Sequence, residues 1–281
     1  MSETEQEDDG TEMLLVHWDV ESGEEIGRKH TGLSVLPWDM GVSPDGKSLM
    51  IAPGEEETYQ FDIESLTQIK RTPHRDGVNF SVAYHPDGKF ALYGNNVGVI
   101  SLWNHRTTHE ESPFPITRYY HGGLVTELLF SQDGTRFLSA STDQTIVLWD
   151  VASGEAIRTF NGHAGAVNSV VFTPDESQIL SGSSDGTLIL WDVASGEALR
   201  TFSEHTAGVT KVALSPDGKL AYSAAQDGLV IVRPIGAIPI DDVLVFIRDN
   251  RVLRDFTCEE REQYRIFPLC DANGNVPDSG D

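Results

Sequence analysis

Two sets of side chains in this sequence have the types that nucleophilic catalysis uses: a hydroxyl, an imidazole and a carboxylate. One is His121, Ser139 or Ser141, and Asp143; the other is His163, Ser181 or Ser183, and Asp185. Such a trio works when the imidazole takes the serine proton and the carboxylate orients the imidazole. Gly182-Ser183-Ser184-Asp185-Gly186 also fits G-x-S-x-G, a pattern that needs a sharp strand-to-helix elbow to expose the hydroxyl. Here both flanks, 179–183 and 187–193, are apolar and β-branched, so the motif lies in a strand–turn–strand. The equivalent stretches of the neighbouring units read Ala-Ser-Thr-Asp-Gln and Ala-Ala-Gln-Asp-Gly. A nucleophile is needed once, so a recurring trio reads as scaffolding. Metal chemistry is no better supported. His105, His109 and Glu110 sit in one extended loop, without the converging set of three or four ligands that a site needs. Asp271-x-Asn273-x-Asn275 begins like a calcium loop, but Val276 stands where glycine belongs and Asp281 ends the chain before the twelfth position. No metal and no cofactor is expected.

The elements that carry these residues repeat. Trp18, Phe61, Trp103, Trp149, Trp191 and Arg233 follow one another at steps of 43, 42, 46, 42 and 42 residues. Turn signals keep the same beat: Ser43-Pro44-Asp45-Gly46, His85-Pro86-Asp87-Gly88, Ser131-Gln132-Asp133-Gly134, Thr173-Pro174-Asp175 and Ser215-Pro216-Asp217-Gly218. Histidines recur at His30, His74, His121, His163 and His205. A fixed period of this length is the mark of a repeat architecture. Residues 166–202 read as four short strands, 167–172, 179–183, 187–193 and 197–202, separated by turns. No helical period appears from Leu14 to Ile235.

Composition narrows the function further. The 281 residues carry 20 Lys and Arg against 44 Asp and Glu, a formal net charge of −24. That balance argues against nucleic acid as partner, because phosphate binding needs a clustered basic face, and equally disfavours docking on anionic lipid. Two cysteines exclude a disulfide-dense scaffold and a four-thiolate zinc site. No apolar run reaches the roughly 18 residues of a membrane span. The first twelve residues are acidic, the opposite of a secretory leader. A cytoplasmic protein is the expectation.

The pattern His … Val-x-x-Val-x-Phe-x-Pro-Asp … Ser-Gly-Ser-x-Asp-Gly-Thr-x-x-x-Trp-Asp resembles the WD40 repeat, and the third and fourth units match it best. The resemblance covers roughly residues 14–236. It implies an all-β fold, a WD40-type β-propeller of four-stranded blades around a central channel. It also implies that His121, Ser139 (or Ser141), Asp143 and Trp149 form one buried hydrogen-bond relay, and His163, Ser181 (or Ser183), Asp185 and Trp191 a second. The fifth unit keeps His205, Ser223 and Asp227 but has Arg233 for tryptophan. The second has Val97 where aspartate belongs, and the first has Glu55 and Phe61. The resemblance places Trp38, Phe80, Thr126, Asn168 and Thr210 at the channel rim, with Gly54, Asn96, Thr142, Ser184 and Gln226 on the same face.

Five units supply first-to-third strands, and fourth strands fall near 24–30, 66–72, 116–120, 155–160 and 197–202. Five blades then close if strand 24–30 completes the last one, which leaves Leu14–Trp18 as a third strand without its first two. The favoured expectation is instead that the chain is the C-terminal part, or a truncated copy, of a larger propeller protein. An incomplete propeller would expose apolar faces for a partner or a second copy to cover. After Pro239, Ile240, Val243, Leu244 and Ile247 share a helical face, and Thr257-x-x-Glu260 is a capping box. A small C-terminal helical hairpin follows. The stretch around Phe256-Thr257-Cys258-Glu259-Glu260-Arg261 and Pro268-Leu269-Cys270 resembles the tail of large bacterial WD40 signalling proteins. Cys258 and Cys270 are expected as free thiols. The resulting partition is an acidic N-terminus (1–12), repeats (13–236), a helical extension (237–270) and a polar tail (271–281). The function expected is a non-catalytic protein-interaction scaffold; the competing class is a propeller hydrolase with its site at the channel.

Overall fold

The computed structural model describes residues 13–33, 37–74, 77–104 and 117–235. Those residues hold 21 strands in six antiparallel sheets, and no helix. A two-stranded sheet comes first: β1 (Leu14–Trp18) and β2 (Glu25–His30). Four sheets of four strands follow. The first comprises β3 (Asp39–Val42), β4 (Ser48–Ala52), β5 (Glu57–Asp62) and β6 (Gln68–Pro73). The second comprises β7 (Asn79–Tyr84), β8 (Phe90–Asn95), β9 (Val99–Asn104) and β10 (Thr117–Tyr120). The third comprises β11 (Val125–Phe130), β12 (Arg136–Ser141), β13 (Thr145–Asp150) and β14 (Ala156–Asn161). The fourth comprises β15 (Val167–Phe172), β16 (Gln178–Ser183), β17 (Leu188–Asp192) and β18 (Ala198–Phe202). The last sheet has three strands: β19 (Val209–Leu214), β20 (Leu220–Ala225) and β21 (Val230–Pro234). Each four-stranded sheet is a meander with strands in chain order, the form expected of a propeller blade.

The recurring turns join first to second strands. In four of the five, an aspartate carboxylate accepts from a hydroxyl two residues back and from an N–H two residues on, as Asp133 does from Ser131 and Thr135; in the second, the His85 ring takes the place of the hydroxyl beside Asp87. Glycine follows at positive φ in four of the five turns (Gly46, Gly88, Gly134 and Gly218). The fifth has Glu176 at φ 54°. Its strain is offset by contacts across the interface: Oε2 accepts from Arg136 at 3.0 Å and Oε1 from the Gln132 N–H at 2.5 Å.

The middle strands are apolar almost continuously because both of their faces are covered. A side-chain period of two sends alternate residues to opposite faces. In β12 and β13, Leu138, Ile146 and Leu148 meet Val167, Val170 and Ile179 of the following sheet. Phe137, Val147 and Trp149 leave the other face and meet Leu92, Ile100 and Leu102 of the preceding one. Burying each such side chain contributes about 1.5–3 kcal/mol. The same two-sided packing joins β1 to the first four-stranded sheet, through Leu15 against Ile51, Tyr59 and Phe61. It also joins the fourth sheet to the last, through Leu180, Leu188 and Leu190 against Val209, Val212 and Ala221.

The succession stops at both ends. Tyr222, Val230 and Val232 hold the positions of Leu180, Leu188 and Leu190 one repeat later, yet Val230 and Val232 are 69% and 53% exposed. Trp18 holds the position of Trp191 and is 54% exposed. No described residue covers these faces.

One expectation is overturned. Strand 24–30 does not complete the last sheet; β2 pairs with β1, Leu14 opposite His30 and His17 opposite Gly27. The cause is locality. Asp19 accepts from the Ser22 N–H at 2.7 Å and Gly23 takes φ 71°, so a tight turn joins the two strands. A pairing with β21 would close a loop of some two hundred residues at a larger entropic cost. A five-blade ring sealed by β2 is therefore not what this chain forms. Leu14–Trp18 is a third strand with its own fourth. The helical hairpin expected over 237–270, with Cys258 and Cys270, lies outside the described residues, as do His105, His109, Glu110 and the Asp271 stretch.

Candidate functional site

The third and fourth units bring four side chains together in a line. His121 Nδ1 donates to Asp143 Oδ2 at 2.8 Å, and its Nε2 accepts from Ser139 Oγ at 2.7 Å. Trp149 Nε1 donates to that same oxygen at 2.7 Å. His163, Asp185, Ser181 and Trp191 repeat the arrangement at 3.2, 2.7 and 2.8 Å. The second serine of each strand has another role: Ser141 and Ser183 accept from the N–H groups of Asp143 and Asp185 and shape the hairpin turn. Every polar atom of the line is satisfied, and the loop before each first strand is tied to the sheet. The fifth unit keeps His205, Asp227 and Ser223 at 2.9 and 2.8 Å. Arg233 replaces the indole there. Its guanidinium lies over the Phe202 ring at 4.7 Å and pairs with Glu204. In the second unit the relay is gone. Tyr93 occupies the serine position, so His74 packs on that ring at 4.5 Å and bonds Thr58 of the preceding sheet at 3.0 Å.

The chemistry of these trios is static. Ser139 and Ser181 are wholly buried, and each hydroxyl is held between an imidazole and an indole. Neither can reach a substrate carbonyl, so neither of these two trios is arranged as a nucleophilic site.

Electrostatics agrees. Burial raises the Asp185 carboxyl, but the Thr187 hydroxyl, the N–H groups of Ala164 and Thr187 and the nearby His163 outweigh it and hold it at about 2. Burial pushes His163 below its ordinary 6.5, against the pull of Asp185. Both groups are depressed in the folded state, so both contribute stability at neutral pH that acid removes. The His163 share is lost as pH falls below about 6.5, and the Asp185 share between about 4 and 2. Allowing for its partial exposure, Asp185 contributes about 1–2 kcal/mol. Urea unfolding followed from pH 8 to pH 2.5 should show this two-step loss, and Asp185→Asn should flatten the step below pH 4. A variant that keeps that step would assign it to other carboxylates.

Four of the positions that the resemblance assigns to a rim share a backbone feature. In β7, β11, β15 and β19 the register with the second strand slips across the second residue, leaving Phe80, Thr126, Asn168 and Thr210 unpaired in a bulge. A bulge re-aims the side chain it carries. Thr126 uses that position to donate to the Val167 carbonyl of the next sheet at 2.6 Å, and Asn168 to the Val209 carbonyl at 2.6 Å. Thr210 donates to Ala224 of its own sheet at 3.0 Å. Those polar positions are inter-sheet and intra-sheet clips. Trp38 and Phe80 differ. Their rings meet edge to face at 5.1 Å across the boundary between two sheets, and Trp38 is 69% exposed. Gly54, at φ 75°, lies beneath them. A Cβ there would fall 2.6 Å from the indole, so only glycine lets Trp38 lie flat on that hairpin.

One line of residues was not singled out from the sequence. Asp39, Ser81, Glu127, Ser169 and Lys211 occupy one equivalent first-strand position in successive sheets. Asp39 accepts from the Ser81 hydroxyl and the Val82 N–H, both at 2.9 Å. Glu127 accepts from the Val170 N–H at 3.1 Å and from Lys211 Nζ at 2.5 Å. Ser169 accepts from the Val212 N–H at 3.2 Å. Each ties a first strand to the next. Burial raises the Asp39 carboxyl, reinforced by Glu127 and opposed by hydrogen bonds from Val82 and Ser81 and by Lys211. The available signal was a charged residue inside an apolar strand.

Comparison with known proteins matches this geometry. A family model described as "WD domain, G-beta repeat" matches residues 114–150, 154–192 and 196–232. The chain is similar to a subunit of mouse chromatin assembly factor 1, 26% identical over 145 residues (46% of this chain and 23% of that protein). It is 24% identical over 154 residues to the WD repeat-containing protein AAC3 of Dictyostelium discoideum (54% and 31%). It is 25% identical over 154 residues to a subunit of eukaryotic translation initiation factor 3 from Taeniopygia guttata (51% and 46%). The matched stretch thus spans less than half the length of each relative.

Proposed function

Because this chain carries WD40 repeats, three of them between residues 114 and 232, we propose that it is a non-catalytic scaffold that binds other proteins at the channel rim. The observation that carries the proposal is the Trp38–Phe80 pair: two aromatic rings presented at a sheet boundary, one of them mostly in solvent. Exposed aromatics on a rigid frame are the composition of an interaction hot spot. Thr126, Asn168 and Thr210 flank them with hydroxyl and amide groups already tied to the frame, which holds the rim in one shape before a partner arrives. Two of the similar proteins are named as subunits of larger assemblies, which supports protein partners of this kind. The finer reading, a cytoplasmic part or truncated copy of a larger bacterial signalling or regulatory protein, is supported by the resemblance of the Phe256–Cys270 stretch.

The test is affinity capture with the whole chain as bait, beside Trp38→Ala and Phe80→Ala. Recovery of the partner captured by the wild-type chain should fall in both variants, further in Trp38→Ala. Full recovery by both would remove the rim from the reading.

A further inference from the structure

The far end of the same sheet boundary holds a second feature. β3 runs from Trp38 at the rim down to the Ser43 turn, and there a cleft of about 440 Å³ opens between the sheets β3–β6 and β7–β10. Its existence follows from one substitution in the repeat. The position that Leu102, Leu148 and Leu190 fill in the three following sheets is Gln60 here. In those interfaces the leucine packs into a closed apolar core, Leu102 with Phe130 and Leu148 with Phe172. At this boundary Gln60 stands opposite Tyr84, whose hydroxyl lies 3.2 Å from Ser48 Oγ. Gln60 is nine-tenths buried, lines the cleft, and its amide bonds to no described residue. Its polar atoms reach the solvent of the cleft instead of a protein partner. An amide turned into a cleft where leucine would close the core leaves its oxygen and N–H groups available to a ligand.

The rest of the lining says what kind. Asp45 and Asp87 stand in the cleft wall, one from each sheet. Asp45 is held below the usual carboxylate range by the Ser43 hydroxyl and the Lys47 N–H, so it stays charged. Asp87 is lowered too: the Lys89 N–H and His85 outweigh burial. Two carboxylates, an amide oxygen and two hydroxyl oxygens form an acceptor-rich set, which suits a group that only donates. A guanidinium offers five N–H donors and no acceptor. The net charge of −24 draws such a group in from a distance.

We propose that the cleft formed by Gln60, Ser48, Tyr84, Asp45 and Asp87 is a binding site for an arginine side chain presented by a partner peptide. It is separate from the rim and does not rest on the aromatic pair. The test is a titration of the full chain with a fluorescent acetyl-Gly-Arg-Gly-amide peptide, read by anisotropy. Gln60→Leu restores the residue of the other interfaces and leaves the charge unchanged. It should weaken binding at least about tenfold while keeping the thermal midpoint. The D45N/D87N double variant should weaken it similarly. D133N/D217N removes the same charges from the equivalent turns elsewhere and should bind within about twofold of wild type. Unchanged binding by Gln60→Leu overturns the site. So does an equal loss in D133N/D217N, which would show attraction by net charge alone.

Discussion

Replacing Trp191 with alanine should lower the unfolding free energy by about 3–5 kcal/mol, a large fraction of the stability of a domain. The indole is 1% exposed and sits in the core shared by the third and fourth four-stranded sheets. It meets Phe160 at 5.8 Å and His163 at 6.0 Å. Its Nε1 also satisfies Ser181 at 2.8 Å. The variant thus loses transfer energy, leaves a cavity the rigid sheets cannot collapse, and orphans one side of a buried hydroxyl. Trp191→Phe separates these contributions. It keeps most of the volume and should cost about 1–3 kcal/mol for the lost donor. Trp18→Ala, at the equivalent but uncovered position, should cost less than about 1 kcal/mol. Urea unfolding with unchanged slope provides the comparison. Equal losses at Trp18 and Trp191 would contradict the packing described.

The second large effect concerns binding and leaves stability nearly untouched. Trp38→Ala should weaken the captured partner's affinity by at least about 2 kcal/mol, roughly thirtyfold, as truncation of a central aromatic does. Because the side chain is 69% exposed, the folded state should change by less than about 1 kcal/mol. Part of that small cost is the edge-to-face contact with Phe80, in the range of about 0.5–1.5 kcal/mol. Phe80→Ala should weaken binding less and stability more, since Phe80 is half-buried and Trp38 leans on it. Biolayer interferometry with the purified partner, beside urea midpoints for both variants, reads the two quantities separately. A partner held within about threefold by Trp38→Ala would move the contact surface elsewhere.

Much of this was legible from spacing alone. A beat of 42 to 46 residues marked by Trp, His and Pro-Asp turns carries the strand order of the four-stranded sheets, because each unit folds from its own hairpins. What spacing could not decide was pairing at the ends. β2 is equally plausible as the outer strand of either terminal sheet, and loop-closure entropy selects β1. Nor could it choose between Ser139 and Ser141, which are two apart and share a face; the choice needs the depth at which the imidazole enters. His74 keeps the spacing of a relay histidine but meets a tyrosine ring where serine should be. The repeat put Phe80, Thr126, Asn168 and Thr210 at one equivalent position, yet the bulge they share is invisible in residue types. Asp39, Glu127 and Lys211 were passed over because a charge in a strand ordinarily marks a solvated face.

If the relays act as fasteners, the third and fourth four-stranded sheets should be the most rigid of the described sheets. Native-state hydrogen exchange on the wild-type chain and on Ser181→Ala tests this most directly. The strands β11 to β18 should be the slowest to exchange, and Ser181→Ala should speed exchange in β16 and β17 by at least about tenfold while β7 to β9 stay unchanged. Slowest exchange in β3 to β9, or a Ser181→Ala chain whose protection pattern matches the wild type, would contradict it.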